Sequence, residues 1–177
     1  MTVLQGLPPA VDAGIRVLVL GSMPGEASLR AQQYYGHPRN RFWPLLSMLF
    51  GFDATLPYPQ RMAALNAAGV GLWDVLGECV RPGSLDSAIL RGSEAANPIA
   101  ALCAGLPRLR TIALNGGKAA QTFARHVVPQ FDDEALRRLT ILSLPSTSPA
   151  NASYALPRLQ AAWSVLREDS STTDTIG

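Results

Sequence analysis

The chain has 177 residues with a net charge of +2, and 47% of its residues are apolar. This length suits one domain with a single substantial core. No apolar run is long enough to cross a membrane, and the N-terminus lacks the basic start and long apolar stretch of a signal peptide. Cys79 and Cys103 are isolated, which argues against a disulfide framework or a thiolate metal site. We therefore predict a globular cytoplasmic protein.

The first half of the chain predicts two strands with two helices between them. The run "IRVLVLGS" (15–22) is apolar and β-branched, which is typical of a buried parallel strand. The segment "RFWPLLSMLFGF" (41–52) has apolar residues at helical spacing, with Gly51 as a C-cap. A second helix is predicted in "YPQRMAALNAAGVG" (58–71), and a strand follows at 70–76.

The second half predicts three helices and two strands. Asn97 as the N-cap and Pro98 in the first turn begin a helix that runs to about Gly105. The remaining elements are a strand at 109–115, a helix at 116–127, a strand from 139 that breaks into a loop, and a helix at 154–169. Residues 169–177 are predicted to be a disordered tail.

This alternation predicts an α/β fold, a three-layer α/β/α sandwich around a central parallel sheet of about four strands. Residues 1–168 are predicted to form one domain, since no repeat or linker interrupts them. In such sheets ligands bind outside the carboxyl ends of the strands. A site is therefore expected at the loops "GSMPGEAS", "ECVRPGSLDS", "NGGK" and "LPSTSPANAS".

The first and third of these loops each allow two interpretations. "GSMPGEAS" has the hydroxyls of Ser22 and Ser28 and exposed backbone N–H groups, which could hold a phosphate or the edge of a base. It could equally be an ordinary strand-to-helix turn. In "NGGK" the glycines would let a ligand approach a helix N-terminus, with Asn115 at the edge of the sheet. Alternatively, Asn115 is only a helix N-cap.

The loop "LPSTSPANAS" combines two stiffening prolines with short polar side chains. Short hydroxyls on a stiff loop suit DNA phosphates, because they approach closely and lose little entropy. The alternative is a solvated crossover capped by Asn151 or Ser153.

Several signatures are missing from the chain. No two histidines have metal-ligand spacing, so no metal site is predicted. The dinucleotide-binding pattern G-x-G-x-x-G is also missing. His126 is predicted to be a surface residue. The candidate carboxylates are few, and Asp74 and Asp86 are interpreted as capping or hydrogen-bonding groups.

The segment "YYGHPRNRFWPLL" (34–46) places four aromatic rings beside a histidine, two arginines and an amide, which a purely structural segment does not need. In its order with "LVLGSMPGEAS", "GLWDVL", "RPGSLDSAI", "LNGGKAAQTF" and "LPSTSPANA", it resembles the uracil-DNA glycosylase superfamily, specifically its hypoxanthine (deoxyinosine) DNA glycosylase branch. The resemblance covers about residues 15–163.

Two departures separate the chain from related branches. The mismatch-specific uracil/thymine glycosylases are similar in H-P-x-N-R-F-W but have an asparagine in the first loop, where this chain has Ser22 and Met23. Conventional uracil glycosylases have an aspartate in that loop and a histidine before the final P-S. Here Glu26 is the acid of the first loop and Leu144 stands before Pro145.

The resemblance implies hydrolysis of the N-glycosidic bond of a flipped-out base, without a metal or any other cofactor. It assigns catalysis to Asn40, whose amide can hold a water but cannot take a proton strongly. It assigns stacking on the base to Tyr35 and base recognition to Asn115. Backbone N–H groups near Ser22 and Met23 are expected to contact a base oxygen. His37 either donates to the leaving base or braces its loop.

The resemblance also implies a DNA surface. The predicted DNA-binding residues are Ser146, Thr147, Ser148, Asn151 and Lys118. The predicted partner is double- or single-stranded DNA with deaminated bases, and a monomer is expected. Arg39 and Arg41 are either surface residues or phosphate contacts, whereas Phe42 and Trp43 are predicted to pack the following helix.

Two other classes of protein remain open at this stage. One is a nucleotide- or sugar-phosphate-binding α/β protein that uses "GSMPG" and "NGGK". The other is a damaged-DNA-binding module of the same fold that has lost catalysis. The sequence does not decide between hypoxanthine and uracil as the excised base.

Overall fold

A computed structural model describes residues 2–167. In chain order, the strands within this range are β1 (Leu4–Gln5), β2 (Val17–Gly21), β3 (Val70–Asp74), β4 (Leu76–Cys79), β5 (Ala95–Ala96), β6 (Thr111–Asn115) and β7 (Thr140–Leu144). The α-helices are α1 (Glu26–Ala31), α2 (Phe42–Phe50), α3 (Tyr58–Ala67), α4 (Ile99–Ala104), α5 (Gly117–Thr122), α6 (Asp133–Arg138) and α7 (Leu156–Trp163).

The central sheet has four parallel strands in the order β3-β2-β6-β7. Every residue of β2, β3 and β6 is buried, which explains their short, continuous apolar runs. Helices flank the sheet. The predicted α/β/α sandwich with a parallel sheet of four strands is therefore confirmed.

A second, antiparallel sheet with the order β1-β4-β5 was not predicted. The predicted strand at 70–76 is divided between the two sheets, since β3 ends at Asp74 and β4 begins at Leu76. The strands of the second sheet have two to four residues, too few to show a period in the sequence.

The helices also depart from the prediction in places. Asn97 is not an N-cap, because its Nδ2 donates to the Asp74 carbonyl at 2.8 Å and α4 begins only at Ile99. The predicted helix at 116–127 is α5 followed by a π-helical turn. Helices α1 and α6 were missed, although the side chain of Asp132 caps α6 by accepting from the Ala135 N–H at 2.7 Å.

The packing and the C-cap predicted for α2 are confirmed. Phe42 and Trp43 are buried, and Gly51 ends the helix in a left-handed conformation. The predicted tail at 169–177 lies outside the described residues. None of the helices in the described range is long and apolar enough to span a bilayer.

Candidate active site

A cavity of about 1070 Å³ opens at the carboxyl edge of the central sheet. It is bordered by the segments that follow β2, β4, β6 and β7, by the last residue of β3 and by much of the segment 34–40. The predicted site residues that line it are Ser22, Met23, Tyr35, His37, Asn40, Asn115, Ser146, Thr147, Ser148 and Asn151. Four distant segments of sequence thus meet at one site.

The ring of Tyr35 is fixed at the wall of this cavity. It stacks on Phe42 with centroids 3.9 Å apart, and its hydroxyl accepts from Asn115 Nδ2 at 3.2 Å. Its backbone is left-handed, with φ at 54°, an uncommon conformation for a bulky residue. Burial, and secondly the nearby charge of Asp74, raises the pKa of the Tyr35 phenol, which therefore stays protonated.

Asn115 joins two walls of the cavity. Its Nδ2 donates to the Tyr35 hydroxyl and, at 3.1 Å, to Thr147 Oγ1. Its Oδ1 accepts from the Thr147 N–H at 3.0 Å. Both amide hydrogens are thereby engaged, and the fully buried Thr147 is held by two hydrogen bonds. This side chain does not cap α5, whose N-cap residue is Gly116.

The turn from His37 to Asn40 fixes two polar groups. His37 Nδ1 accepts from the Arg39 N–H at 3.1 Å, so the neutral ring carries its hydrogen on Nε2. Asn40 Oδ1 accepts from the Phe42 N–H at 2.9 Å, which fixes the orientation of the amide. One lone pair of Oδ1 is thus engaged at the start of α2, and Nδ2 is the group through which Asn40 can donate to a ligand.

The segment 145–154, named here the serine loop, forms the opposite wall. Trp163 Nε1 donates to the Pro145 carbonyl at 2.9 Å, which ties the start of the loop to α7. Ser146 Oγ accepts from the Ser148 N–H, and Ser148 Oγ accepts from the Ala150 N–H. Each hydroxyl therefore keeps its own hydrogen for an outside acceptor.

A carboxyl group lies at the floor of the cavity. Asp74 is 4% exposed, and its Oδ2 has no hydrogen-bond partner within the described range. A Cβ atom on Gly21 would lie 2.5 Å from Asp74 Oδ1, so the glycine makes room for the carboxyl group. Burial, followed by the charge of Asp86, raises the pKa of Asp74 to about 7, while Arg81 opposes the shift. Asp74 therefore becomes largely protonated as pH falls below about 7, and its Oδ2 does not make the hydrogen bond that the sequence suggested.

The first loop is braced by the segment after β4. Ser22 Oγ donates to Asp86 Oδ1 at 2.6 Å, so the hydrogen-bonding interpretation of Asp86 holds. The buried Arg81 donates through Nη2 to the Pro24 carbonyl at 2.8 Å and through Nε to the Gly83 carbonyl at the same distance. The loop at 81–84 thus supports the first loop with its arginine.

Lys118 lies apart from the cavity-lining residues. Its Nζ contacts Glu94 Oε1 at 3.2 Å. His126 was predicted to be a surface residue, but it is half-buried and its Nε2 lies 3.8 Å from the other oxygen of Glu94. Lys118 and His126 therefore both lie beside the same acidic side chain, that of Glu94.

Comparison with known proteins shows the family of the chain. A family model described as the uracil DNA glycosylase superfamily matches residues 8–167. The chain belongs to this superfamily.

Individual relatives agree with the family match. The hypoxanthine DNA glycosylases of Methanosarcina barkeri and Methanosarcina acetivorans are 40% and 39% identical to the chain over 118 residues, which is 66% of this chain and 73% of each relative. A solution NMR structure of a candidate uracil DNA glycosylase from Methanosarcina acetivorans superposes with a TM-score of 0.78 at 31% identity, and covers 95% of this chain and 99% of that one. The predicted family and enzyme class, a DNA glycosylase that acts on DNA, are confirmed.

Two features of this candidate site were missed in the sequence. The orphaned carboxyl oxygen of Asp74 depends on burial, which a single residue type does not reveal. The contacts of Arg41, which enters the serine loop from beside Asn40, join residues more than one hundred positions apart. A signal for Asp74 was present, since its strand ends beside a second strand that ends in glycine, Gly21.

Proposed function

We propose that the protein is a monofunctional DNA glycosylase that flips a deaminated base, chiefly hypoxanthine, out of DNA and hydrolyses its N-glycosidic bond. The observation that carries the proposal is the meeting of an anchored ring, Tyr35, with the amide of Asn40 and the imidazole of His37 in one cavity. Hypoxanthine is the first candidate because the curated relatives are hypoxanthine DNA glycosylases. Uracil is the second candidate, supported by the superfamily alone.

Asn40 is the proposed catalytic residue. Its Nδ2 can donate to a water, and the second lone pair of Oδ1 can accept from it, so the amide can place a water beside the sugar carbon. An amide does not take a proton strongly, so most of the rate must come from stabilising negative charge on the leaving base.

Three groups are proposed to act on the base itself. Tyr35 has one face against Phe42 and offers the other to a flipped base. His37 donates through Nε2–H to the leaving base, which the tautomer fixed by the Arg39 N–H favours over a purely bracing role. Backbone N–H groups near Ser22 and Met23 donate to a base oxygen. Asn115 acts in base recognition through the Tyr35 hydroxyl that it orients.

Asp74 is the proposed fourth contact to the base. A protonated carboxyl group both donates and accepts, which matches the adjacent C=O and N–H groups of hypoxanthine or uracil. Its unpartnered Oδ2 supports this role, because a buried polar atom without a partner is costly until a ligand supplies one.

The DNA backbone is proposed to lie against the serine loop. The free hydroxyl hydrogens of Ser146 and Ser148 suit phosphate oxygens, and Asn151 holds the loop by donating from Nδ2 to the Ser146 carbonyl at 3.0 Å. DNA contact by Thr147 and Lys118 stays a prediction, since Thr147 is buried and Lys118 pairs with Glu94. A monomer likewise stays a prediction.

The test is excision from labelled duplexes that carry deoxyinosine, deoxyuridine, deoxyxanthosine or a thymine mismatch, each followed by alkali to cleave abasic sites. Strand cleavage is expected first on the deoxyinosine duplex. Duplex binding with no cleavage on any substrate would instead indicate a damage-binding module. Binding of free nucleotides with no affinity for duplexes would indicate a nucleotide-binding protein.

A further inference from the structure

Arg41 lies next to Asn40 in the sequence but sends its side chain into the serine loop. Its Nε donates to the Thr147 carbonyl at 3.3 Å, and its Nη2 donates to the carbonyls of Ser148 at 2.7 Å and Asn151 at 3.2 Å. Its Nη1 donates to the Tyr154 carbonyl. One guanidinium thus gathers four carbonyls from a segment of eight residues.

This arrangement uses the shape of arginine and not only its charge. The planar guanidinium has five donors in a fixed fork, whereas lysine has one compact ammonium group. Within residues 2–167, the hydrogen bonds of the Arg41 side chain all go to backbone carbonyls, so no carboxylate neutralises it there. The loop carbonyls turn inward to this cation, and they therefore do not face a phosphate, which they would repel.

The backbone of Arg41 adds a further connection. Its N–H donates to the same Thr147 carbonyl at 3.1 Å. In the preceding residue, Asn40, the side-chain Oδ1 accepts from the Phe42 N–H. The catalytic turn and the serine loop are therefore joined at one residue, whose guanidinium spans the loop.

We propose that Arg41 is a positioning residue that holds the serine loop in the form that grips DNA. The inference rests on the proposed glycosylase function. Arg41 acts here through the loop that it shapes, not by contact with a phosphate. Lysine, which retains the charge, cannot replace it, because one ammonium group cannot bond four carbonyls that converge on a planar fork.

The test compares Arg41→Lys, Arg41→Gln and the exposed control Arg125→Gln. Single-turnover excision of deoxyinosine, measured against enzyme concentration, gives a half-saturation concentration and a maximal rate. Amide hydrogen exchange across residues 145–154 in the free protein reports on the loop without any activity. Both Arg41 variants are expected to raise the half-saturation concentration by about tenfold or more, with a maximal rate within about threefold of wild type. Exchange in the loop should quicken in both variants and stay unchanged in Arg125→Gln.

Four other results would each contradict a different part of the account. If Arg41→Lys matches wild type in half-saturation and loop exchange while Arg41→Gln does not, charge suffices and the proposal fails. If exchange in the loop is unchanged in both variants, the proposal also fails. If protection from amide exchange is lost throughout the molecule, Arg41 contributes to general stability and the proposal of a local role fails. If wild type excises no base at all, the proposed function fails, while loop exchange still decides whether Arg41 shapes the loop.

Discussion

The carboxyl group of Asp74, the proposed fourth contact to the base, is buried at a cost in stability. It is buried against Gly21, with Asp86 and Arg81 as the charged groups that act on it. The pKa of Asp74 is raised from 3.8 to about 7, so the folded protein holds a proton that the unfolded chain releases. The same proton is what the proposed hydrogen bond from Asp74 to a base requires.

Excision should therefore depend on pH through this group. Above about pH 7 the donor form of Asp74 is lost, and kcat/KM of wild type should fall by up to about tenfold per pH unit. Asp74→Asn keeps a donor and an acceptor at every pH. The ratio of wild-type to variant kcat/KM on deoxyinosine, measured from acid to alkaline pH, should thus decline through neutrality. A constant ratio would show that the proton of Asp74 plays no part.

The stability of Asp74→Asn relative to wild type should also rise with pH. Since the pKa of Asp74 is higher in the folded state, its favourable contribution is fully present below about pH 4 and is lost as pH rises through about 7. Asp74→Asn does not titrate, so it should gain on wild type over this window, up to about 4 kcal/mol in the free energy of unfolding. Urea unfolding at several pH values measures the difference, and a gap that narrows as pH rises would contradict the assignment.

At the scale of elements, the junction between β6 and α5 has two adjacent glycines with different roles. Gly116 has φ at 96°, and a Cβ there would lie 2.9 Å from the Cβ of Ser146. Gly117 begins α5, and a Cβ there meets nothing within 4 Å. One glycine is thus required for the approach of the serine loop, and the other is not.

The pair makes a matched test. Gly116→Ala should lower the free energy of unfolding by about 1 to 3 kcal/mol, from backbone strain and the displaced Ser146. Gly117→Ala should be neutral or stabilising by up to about 1 kcal/mol, as expected in a helix. Thermal unfolding of both variants measures this difference. Equal losses of unfolding free energy in the two variants would mean that the contact with Ser146 does not shape the junction.

The elements that the sequence predicts well are those with a long enough pattern. Strands β2 and β6 are fully buried runs, and α2 has a helical stripe closed by Gly51. The short strands of the second sheet have no such pattern. Asn97 shows a different cause of error, because its side chain is recruited by the distant Asp74 carbonyl instead of capping its own helix. Tertiary contact decides such cases, and local propensity does not reveal it.

At the scale of the whole molecule, parallel strands bring Tyr35, Asn40, Asn115 and the serine loop to one edge. The order of motifs along the chain was enough to predict that meeting. Which groups are already engaged could not be predicted, because Asn115 and Thr147 bind each other across 32 positions and Lys118 pairs with Glu94. The sequence motifs therefore located the cavity. The contacts in the structure divide its residues into those that hold the site together and those that remain available to bind DNA.

The most direct test of the glycosylase assignment is the release of free hypoxanthine from a deoxyinosine duplex in a single turnover. Wild type should release the base and leave an abasic site. Asn40→Ala should be slower by about 100-fold or more. Asn40→Ser, which keeps an acceptor for the Phe42 N–H, should be similarly slow while duplex binding and folding persist. No release by wild type, or release by folded Asn40 variants at the wild-type rate, would contradict the account.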